Sequence, residues 1–163
     1  MAEAHYIPRA IEPLVQRVVT EFPALVLTGP RQTGKTTLLR HLFGNTHRYV
    51  SLELPDVQAA AHADPRGFLA LHAPPVIFDE IQYAPALLAY IKEGIDARRE
   101  TRGQYLLTGS HNLMLLAGVT ESLAGRVAML RLLPLSHREI SGQPQAPFPW
   151  EERDSSTPRA SLA

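Results

Sequence analysis

The sequence contains no cysteine and only two lysines. Without cysteine the 163-residue chain can form neither a disulfide nor a thiolate metal site, which favours a reducing compartment such as the cytoplasm. Lys35 and Lys92 are the only lysines among 16 basic residues, and 16 acidic residues balance them. A net charge of zero gives no electrostatic support for binding to nucleic acid or to an anionic membrane.

Long apolar runs are absent as well. The longest are far shorter than the about 20 residues of a membrane span, and residues 1–9 lack the apolar core of a signal peptide. We therefore expect a cytoplasmic protein without a membrane partner. After Gly142 the sequence is rich in proline and polar residues. This composition predicts one folded domain over residues 1–142 and a disordered tail over residues 143–163.

Apolar runs of strand length alternate with segments of helical periodicity. This alternation predicts an α/β fold, a parallel sheet with helices on both faces. Ser136 to Glu139 has the S-x-x-E spacing of a capping box, which predicts a further short helix. We expect strands at 24–28, 48–52, 76–80, 104–108 and 127–132, helices at 7–22, 35–43, 56–62, 65–71 and 85–99, and helical pieces between 112 and 124.

The stretch LTGPRQTGKTTLL, residues 27–39, fits the G-x-x-x-x-G-K-[ST] phosphate loop between a predicted strand and a predicted helix. Backbone N–H groups of such a loop form an anion site, and the helix N-terminus adds partial positive charge. We expect Lys35 to contact the β- and γ-phosphates and Thr36 to ligate Mg²⁺. The predicted cofactors are ATP and Mg²⁺, and the predicted nucleotide-binding residues are Gly29, Pro30, Arg31, Gln32, Thr33, Gly34, Lys35, Thr36 and Thr37.

An acidic pair, Asp79 and Glu80, ends the third predicted strand. Opposite a phosphate loop, the first carboxylate would hold Mg²⁺ together with Thr36. The second would orient and deprotonate the attacking water. An adjacent pair favours hydrolysis over phosphoryl transfer, because a kinase acting on a bound substrate needs no base poised for water. An acidic pair can also simply cap a buried strand.

Two further residues are candidates for contact with the γ-phosphate. Ser110 follows the fourth predicted strand and is the first choice for a polar sensor, with Thr108 and Asn112 as alternatives; Ser110 could instead cap the next helix. Arg126 precedes the fifth predicted strand. It could act as an arginine finger on a neighbouring subunit, which requires a homo-oligomer, or it could form a local ion pair.

Six segments appear in an order that resembles one family: YIPR (6–9), LTGPRQTGKTTLL (27–39), DEIQYAP (79–85), LTGS (107–110), SLAGRV (122–127) and LPLSHREI (133–140). The chain is similar to prokaryotic AAA+-superfamily ATP-binding proteins that usually carry a C-terminal domain of unknown function. The resemblance implies a sheet of order 5-1-4-3-2 and nucleotide roles for Lys35, Thr36, Asp79 and Glu80. It also implies that Ser110 is a sensor and that Ile7 and Ile11 border the adenine.

The sequence after Gly142 departs from that family, because no helical lid and no second domain can be recognised there. We therefore expect a P-loop ATPase core whose Mg²⁺-dependent hydrolysis drives a change in an unknown protein partner or a missing domain. The alternatives are an ATP-binding switch without hydrolysis and a truncated remnant of a longer ATPase. A phosphotransferase is a weaker alternative, and a DNA motor is suggested by superfamily analogy alone.

Overall fold

A computed structural model describes residues 6–110, 118–119 and 121–147. Contacts divide this part of the chain into a larger unit over residues 11–134 and a smaller unit made of residues 6–10 and 135–147. The larger unit is a parallel sheet with flanking helices. Its elements are α1 (Glu12–Glu21), β1 (Ala24–Gly29), α2 (Lys35–Phe43), β2 (Arg48–Ser51), α3 (Pro55–Ala63), α4 (Pro65–Leu71), β3 (Val76–Asp79), a 3-10 turn (Ile81–Tyr83), α5 (Leu87–Ala97), β4 (Tyr105–Ser110) and β5 (Val127–Arg131).

The five strands are all parallel and lie in the order β2-β3-β4-β1-β5. Counted from the other edge this is 5-1-4-3-2, so the predicted fold class and strand order are confirmed. Strands β1 and β3 are buried along their whole length, as expected for strands covered by helices on both faces. The carboxyl ends of β1, β3 and β4 therefore lie side by side at one edge of the sheet.

Side chains alternate between the two buried faces of the sheet. Val76 and Phe78 of β3 join the apolar cluster that includes residues of α3, α4 and α5. Ile77 and Asp79 project from the opposite face, on which α2 contacts β1 and β4 and also packs against α1. The N-terminus of α2 and the carboxylate of Asp79 thus share one face of the sheet.

Helix α1 is shorter than predicted. The sequence pattern predicts a helix from Ile7, but residues 7–9 have no regular structure and α1 begins at Glu12. Pro13 lies in the first turn of α1, where it needs no hydrogen-bond partner, whereas a helix from Ile7 would place it in the interior, where proline breaks the hydrogen-bond pattern. The other predicted bounds agree within two residues. Of the pieces predicted between 112 and 124, residues 118–119 and 121–123 are helical and the rest lie outside the described residues.

The smaller unit contains α6 (His137–Ile140), which begins with the predicted capping box. The Ser136 hydroxyl accepts the Glu139 amide at 3.3 Å, and Glu139 Oε2 accepts the Ser136 amide at 2.7 Å. Glu139 Oε1 also accepts from the Ala10 amide at 2.8 Å and from Arg9 Nε at 3.0 Å. Burial tends to raise the pKa of Glu139, but these hydrogen bonds together lower it below its usual value.

Residues 143–147 belong to the segment predicted as a tail. The Gln143 amide donates to Arg138 O at 2.8 Å, the Arg138 guanidinium donates to Ala146 O, and Gln145 Nε2 donates to Ala10 O at 3.2 Å. Gln143, Gln145 and Ala146 therefore hydrogen-bond to other residues of the smaller unit. The remainder of the predicted tail, residues 148–163, lies outside the described residues. The domain boundary at 142 stays a prediction.

Candidate functional site

The predicted phosphate loop connects the buried strand β1 to α2. Gly34 is the N-cap of α2 with φ 87°, a left-handed conformation that favours glycine. Gly29 has φ 155°, and a β-carbon added to it would lie 2.2 Å from Leu132 O. Gln32 also has a positive φ, 62°, although it is not glycine. The segment from Gly29 to Gly34 thus has three residues with positive φ before the helix begins.

Lys35 is a buried cation at the first position of α2, with 4% of its surface exposed. Its Nζ donates to the carbonyls of Gly29 at 3.1 Å and Pro30 at 2.9 Å. Within the described part of the chain, no carboxylate forms an ion pair with it. Buried charges normally have a counter-charge, and a helix N-terminus attracts anions. The position is therefore suited to a bound anion.

The remaining loop residues have different surroundings. Thr33 is buried, and its hydroxyl donates to Pro30 O at 3.0 Å, which closes the loop on itself. Four others are exposed: Pro30, Arg31, Gln32 and Thr37. In a phosphate loop these residues contribute mainly through their backbone N–H groups. Contact between their side chains and a nucleotide stays a prediction.

Asp79 is buried and accepts hydrogen bonds from three hydroxyl groups. Its Oδ1 accepts from Thr36 Oγ1 at 2.7 Å and from Thr108 Oγ1 at 2.5 Å. Its Oδ2 accepts from the Tyr49 hydroxyl at 2.9 Å. The three donors come from α2, β4 and β2, so Asp79 connects the phosphate-loop helix to the strands on both sides of β3.

Strand register explains this convergence. Phe78 pairs with Leu107, which brings the next residues, Asp79 and Thr108, beside each other on the face that α2 covers. On the other side Ser51 pairs with Asp79, and Tyr49 is the preceding residue on that same face of β2. A tyrosine is long enough to reach a diagonal neighbour across two parallel strands.

The donor chemistry of Thr36 and Asp79 fits Mg²⁺. Both provide hard oxygen atoms, and the two side chains already lie within hydrogen-bond distance of each other. The described residues contain no cluster of three or more histidine, cysteine, aspartate or glutamate side chains that could hold a metal ion. Mg²⁺ suits such a site, because it is usually bound by one or two carboxylates together with substrate phosphates and water.

Glu80 follows Asp79 in a left-handed conformation, with φ 58° and ψ 55°. Its amide donates to Thr108 Oγ1 at 3.0 Å, and its carboxylate accepts a hydrogen bond from Gln82 Nε2. A non-glycine residue with positive φ at the end of a strand is uncommon, and such strain is concentrated at functional sites. The turn directs the chain away from the sheet directly after Asp79.

Tyr49 is linked to α2 as well as to Asp79. The Arg40 guanidinium lies 4.8 Å above the centre of the Tyr49 ring, a cation–π arrangement. Burial, the negative charge of Asp79 and the hydrogen bond to it raise the pKa of Tyr49 to about 12. The Tyr49 hydroxyl therefore stays protonated, and remains a donor, throughout the physiological pH range.

The two other candidates, Ser110 and Arg126, lie at opposite ends of the strands. Ser110 is the last residue of β4 and pairs with Gly29, so it lies beside the start of the phosphate loop. Arg126 precedes Val127, which pairs with Ala24 at the opposite end of β1. About 16 Å of strand therefore separate Arg126 from the phosphate loop of its own chain. Asn112 lies outside the described residues.

Arg126 forms an ion pair at the amino-terminal end of the strands, away from the phosphate loop. Its Nε and Nη2 donate to Asp96 Oδ1 at 2.7 Å and Oδ2 at 3.1 Å. The hydrogen bond from Arg126 is the largest influence that lowers the pKa of Asp96, and the same contact raises the pKa of Arg126. The pair borders a cleft of about 460 Å³ that also contains Arg99 and Arg102.

The family model for an AAA domain matches residues 21–141, three-quarters of the chain, including the loop and the acidic pair. The chain belongs to the AAA domain family. Together with the confirmed strand order, this establishes a P-loop ATPase core with a nucleotide-binding site. Among the helices that the structure describes, none is long and apolar enough to cross a membrane.

The AAA domain also resembles individual proteins. It is 34% identical over 127 residues to an uncharacterized protein of Mycobacterium tuberculosis and to one of Mycobacterium bovis. These alignments cover 77% of this chain, which spans only 28% of the length of each relative. A Walker-type ATPase of Pyrococcus abyssi has a similar structure, with a TM-score of 0.58 and 20% identity over 82% of this chain and 55% of that chain. At this identity the similarity supports the fold alone.

The structure gives two residues contacts that the sequence does not reveal. The hydroxyl of Thr108, an alternative to Ser110 as a sensor, contacts both acidic residues. Tyr49 was not singled out at all. The available signal was its position in a strand next to the acidic strand, two residues before Ser51 and hence on the same face.

Proposed function

We propose that this AAA domain binds ATP with Mg²⁺ and hydrolyses it. The observation that carries the proposal is Lys35, a buried ammonium without a carboxylate partner in the described structure, placed at a helix N-terminus behind a glycine-bounded loop. A triphosphate would supply the missing negative charge. The absence of a recognisable guanine-reading motif in the sequence favours ATP over GTP.

In the proposed complex, the loop amides and Lys35 bind the β- and γ-phosphate oxygens. Thr36, through its hydroxyl oxygen, and Asp79, through its carboxylate, would hold Mg²⁺. When bound, Mg²⁺ supplies neutralisation of the charge that develops on the phosphate oxygens.

Glu80 is the proposed general base. It orients a water molecule and accepts its proton as the water oxygen bonds to the γ-phosphorus and the bond to the β-phosphate oxygen breaks, yielding ADP and phosphate. Ser110, beside the loop, contacts the γ-phosphate. Arg126 acts on the site of a neighbouring copy in a homo-oligomer, because it lies at the opposite edge of the sheet in its own chain.

The proposed role of hydrolysis is to change the conformation of a protein partner or of a further part of the protein, in the cytoplasm. A second function, an ATP-binding switch without hydrolysis, is favoured by one contact. Gln82 donates to Glu80 Oε2, so one oxygen of the proposed base already has a hydrogen-bond partner within the chain. The switch keeps every binding contact of the first proposal and differs from it in turnover alone.

Calorimetric titration with ATP and with GTP, each with Mg²⁺ and with EDTA, tests the binding step. We expect tight binding of ATP that depends on Mg²⁺. Phosphate release by the wild type and by Glu80→Gln then separates hydrolysis from the switch. Hydrolysis predicts turnover that Glu80→Gln abolishes while ATP binding persists, whereas the switch predicts binding without turnover in both proteins. Absence of nucleotide binding by the folded wild type would contradict both.

A further inference from the structure

We propose that Tyr49 is a positioning residue that orients the Asp79 carboxylate for the metal ion, an inference that rests on the proposed binding of Mg²⁺ and ATP. The two oxygens of Asp79 have different donors. Oδ1 accepts from Thr36 and Thr108, and Oδ2 accepts from Tyr49. Among the described residues, Tyr49 is thus the side chain that holds the second oxygen.

A donor on each oxygen fixes the carboxylate more completely than donors on one. With Oδ1 alone held, the carboxylate could still rotate about its bond to the β-carbon and move Oδ2 out of the position that it has in this structure. The Tyr49 hydroxyl prevents this rotation by a hydrogen bond of 2.9 Å to Oδ2. Outer-shell partners of this kind orient metal-binding groups and tune their affinity.

Tyr49 is itself held by the helix that carries the phosphate loop. Arg40 lies four residues after Thr36 in α2, one helical turn away, so both side chains point to the same side of the helix. The Arg40 guanidinium covers the Tyr49 ring at 4.8 Å. Helix α2 therefore reaches Asp79 twice, directly through Thr36 and indirectly through Arg40 and Tyr49.

The hydroxyl can be separated experimentally from the rest of this side chain. Phenylalanine at position 49 keeps the ring, its packing and the contact with Arg40, and removes the hydroxyl that donates to Asp79. A matched control exists in α5, where the Arg66 guanidinium lies 5.4 Å above the ring of Tyr90. Tyr90→Phe thus makes the same chemical change in a similar arginine–tyrosine pair that has no part in the site.

The experiment measures ATP affinity by calorimetry in EDTA and over a series of Mg²⁺ concentrations, for the wild type, Tyr49→Phe and Tyr90→Phe. Thermal unfolding is recorded for each protein. We expect Tyr49→Phe to raise the Mg²⁺ concentration that gives half of the metal-dependent gain in affinity by roughly tenfold. The affinity in EDTA should stay at the wild-type value, and the unfolding temperature should fall by a few degrees, because the substitution removes one hydrogen bond to a buried carboxylate. Tyr90→Phe should behave as the wild type throughout.

Two results would overturn the inference while leaving the proposed function intact. One is an unchanged Mg²⁺ requirement in Tyr49→Phe beside a wild type that binds Mg²⁺ and ATP normally. The other is an equal loss of affinity with and without Mg²⁺, since that pattern marks a purely structural role. A wild type that binds no nucleotide would instead overturn the proposed function and this inference with it.

Discussion

Thr108 and Asp79 lie side by side on adjacent strands, with 2.5 Å between the threonine hydroxyl and Asp79 Oδ1. The same hydroxyl oxygen accepts the amide of Glu80 at 3.0 Å. One buried hydroxyl thus fixes both the carboxylate proposed for the metal and the backbone of the residue proposed as the base. Strand β4, which carries Thr108, lies between β1 and β3. It therefore connects the strand before the phosphate loop to the strand that ends in the acidic pair.

Thr108→Val should destabilise the domain and slow ATP turnover. The substitution keeps the shape but leaves the Glu80 amide and an Asp79 oxygen without this partner, at a cost of about 1–3 kcal/mol. Urea unfolding measures the stability, and phosphate release at saturating ATP measures the turnover. Thr108→Ser keeps the hydroxyl and is the matched control. Equal stability and turnover in Thr108→Val and the wild type would show that the hydroxyl is dispensable.

Lys35→Ala should weaken ATP binding by roughly 10- to 100-fold, the equivalent of losing a hydrogen bond to a charged group. Adenosine, which lacks phosphates, should lose no affinity, because Lys35 is proposed to contact the β- and γ-phosphates alone. Calorimetry with both ligands provides the measurement. Lys92, exposed on α5, is the only other lysine, so Lys92→Ala is the natural control. Wild-type affinity for ATP in Lys35→Ala contradicts the proposed loop chemistry.

Arg126→Gln should abolish turnover in an assembled oligomer, whereas Asp96→Asn should preserve it. Both substitutions break the same ion pair, so any effect of the pair on stability should be similar in the two variants. Only Arg126→Gln removes the positive charge that would stabilise the transition state in the site of a neighbouring copy. Steady-state phosphate release and thermal unfolding are compared for the two proteins. Loss of turnover in both variants would assign Arg126 a local structural role.

Glu139 should stabilise the smaller unit at neutral pH and lose this effect in acid. Because its folded pKa lies below the unfolded value of 4.5, the unfolded chain takes up the proton first as the pH falls. The stabilisation is complete above the unfolded pKa and disappears as the pH falls through the folded pKa. An NMR titration of the Glu139 carboxyl should give a pKa below 4.5. In Glu139→Gln, protection of the Ala10 and Ser136 amides against exchange should fall.

The parallel sheet and the phosphate loop could be predicted because both depend on local signals. The loop motif has fixed spacing, and apolar runs separated by helical segments favour a parallel sheet. The strand order was implied by the resemblance to a family and not by these signals. The contacts of Asp79 could not be predicted in the same way. Tyr49 reaches Asp79 only because Ser51 pairs with Asp79 across β2 and β3. The sequence of neither strand specifies this register.

The contacts of Thr108 could not be predicted for a related reason. The sequence pattern ends the fourth strand at Thr108, which places this residue at the boundary of the strand. Strand β4 in fact continues to Ser110, so Thr108 is buried within the sheet beside Asp79. Strand ends are difficult to predict when a polar residue is satisfied by a neighbouring strand, because its polarity then resembles that of a loop.

Gly29 connects the phosphate loop sterically to the outer strand of the sheet. The Leu132 carbonyl occupies the space that a side chain at position 29 would need, and the Leu132 amide donates to Thr28 O at 2.8 Å. A backbone shift at the entrance of the loop must therefore displace the residue directly after β5. Binding or release of a ligand at the loop would in this way shift the end of β5, the edge strand next to β1, by a small movement within the sheet.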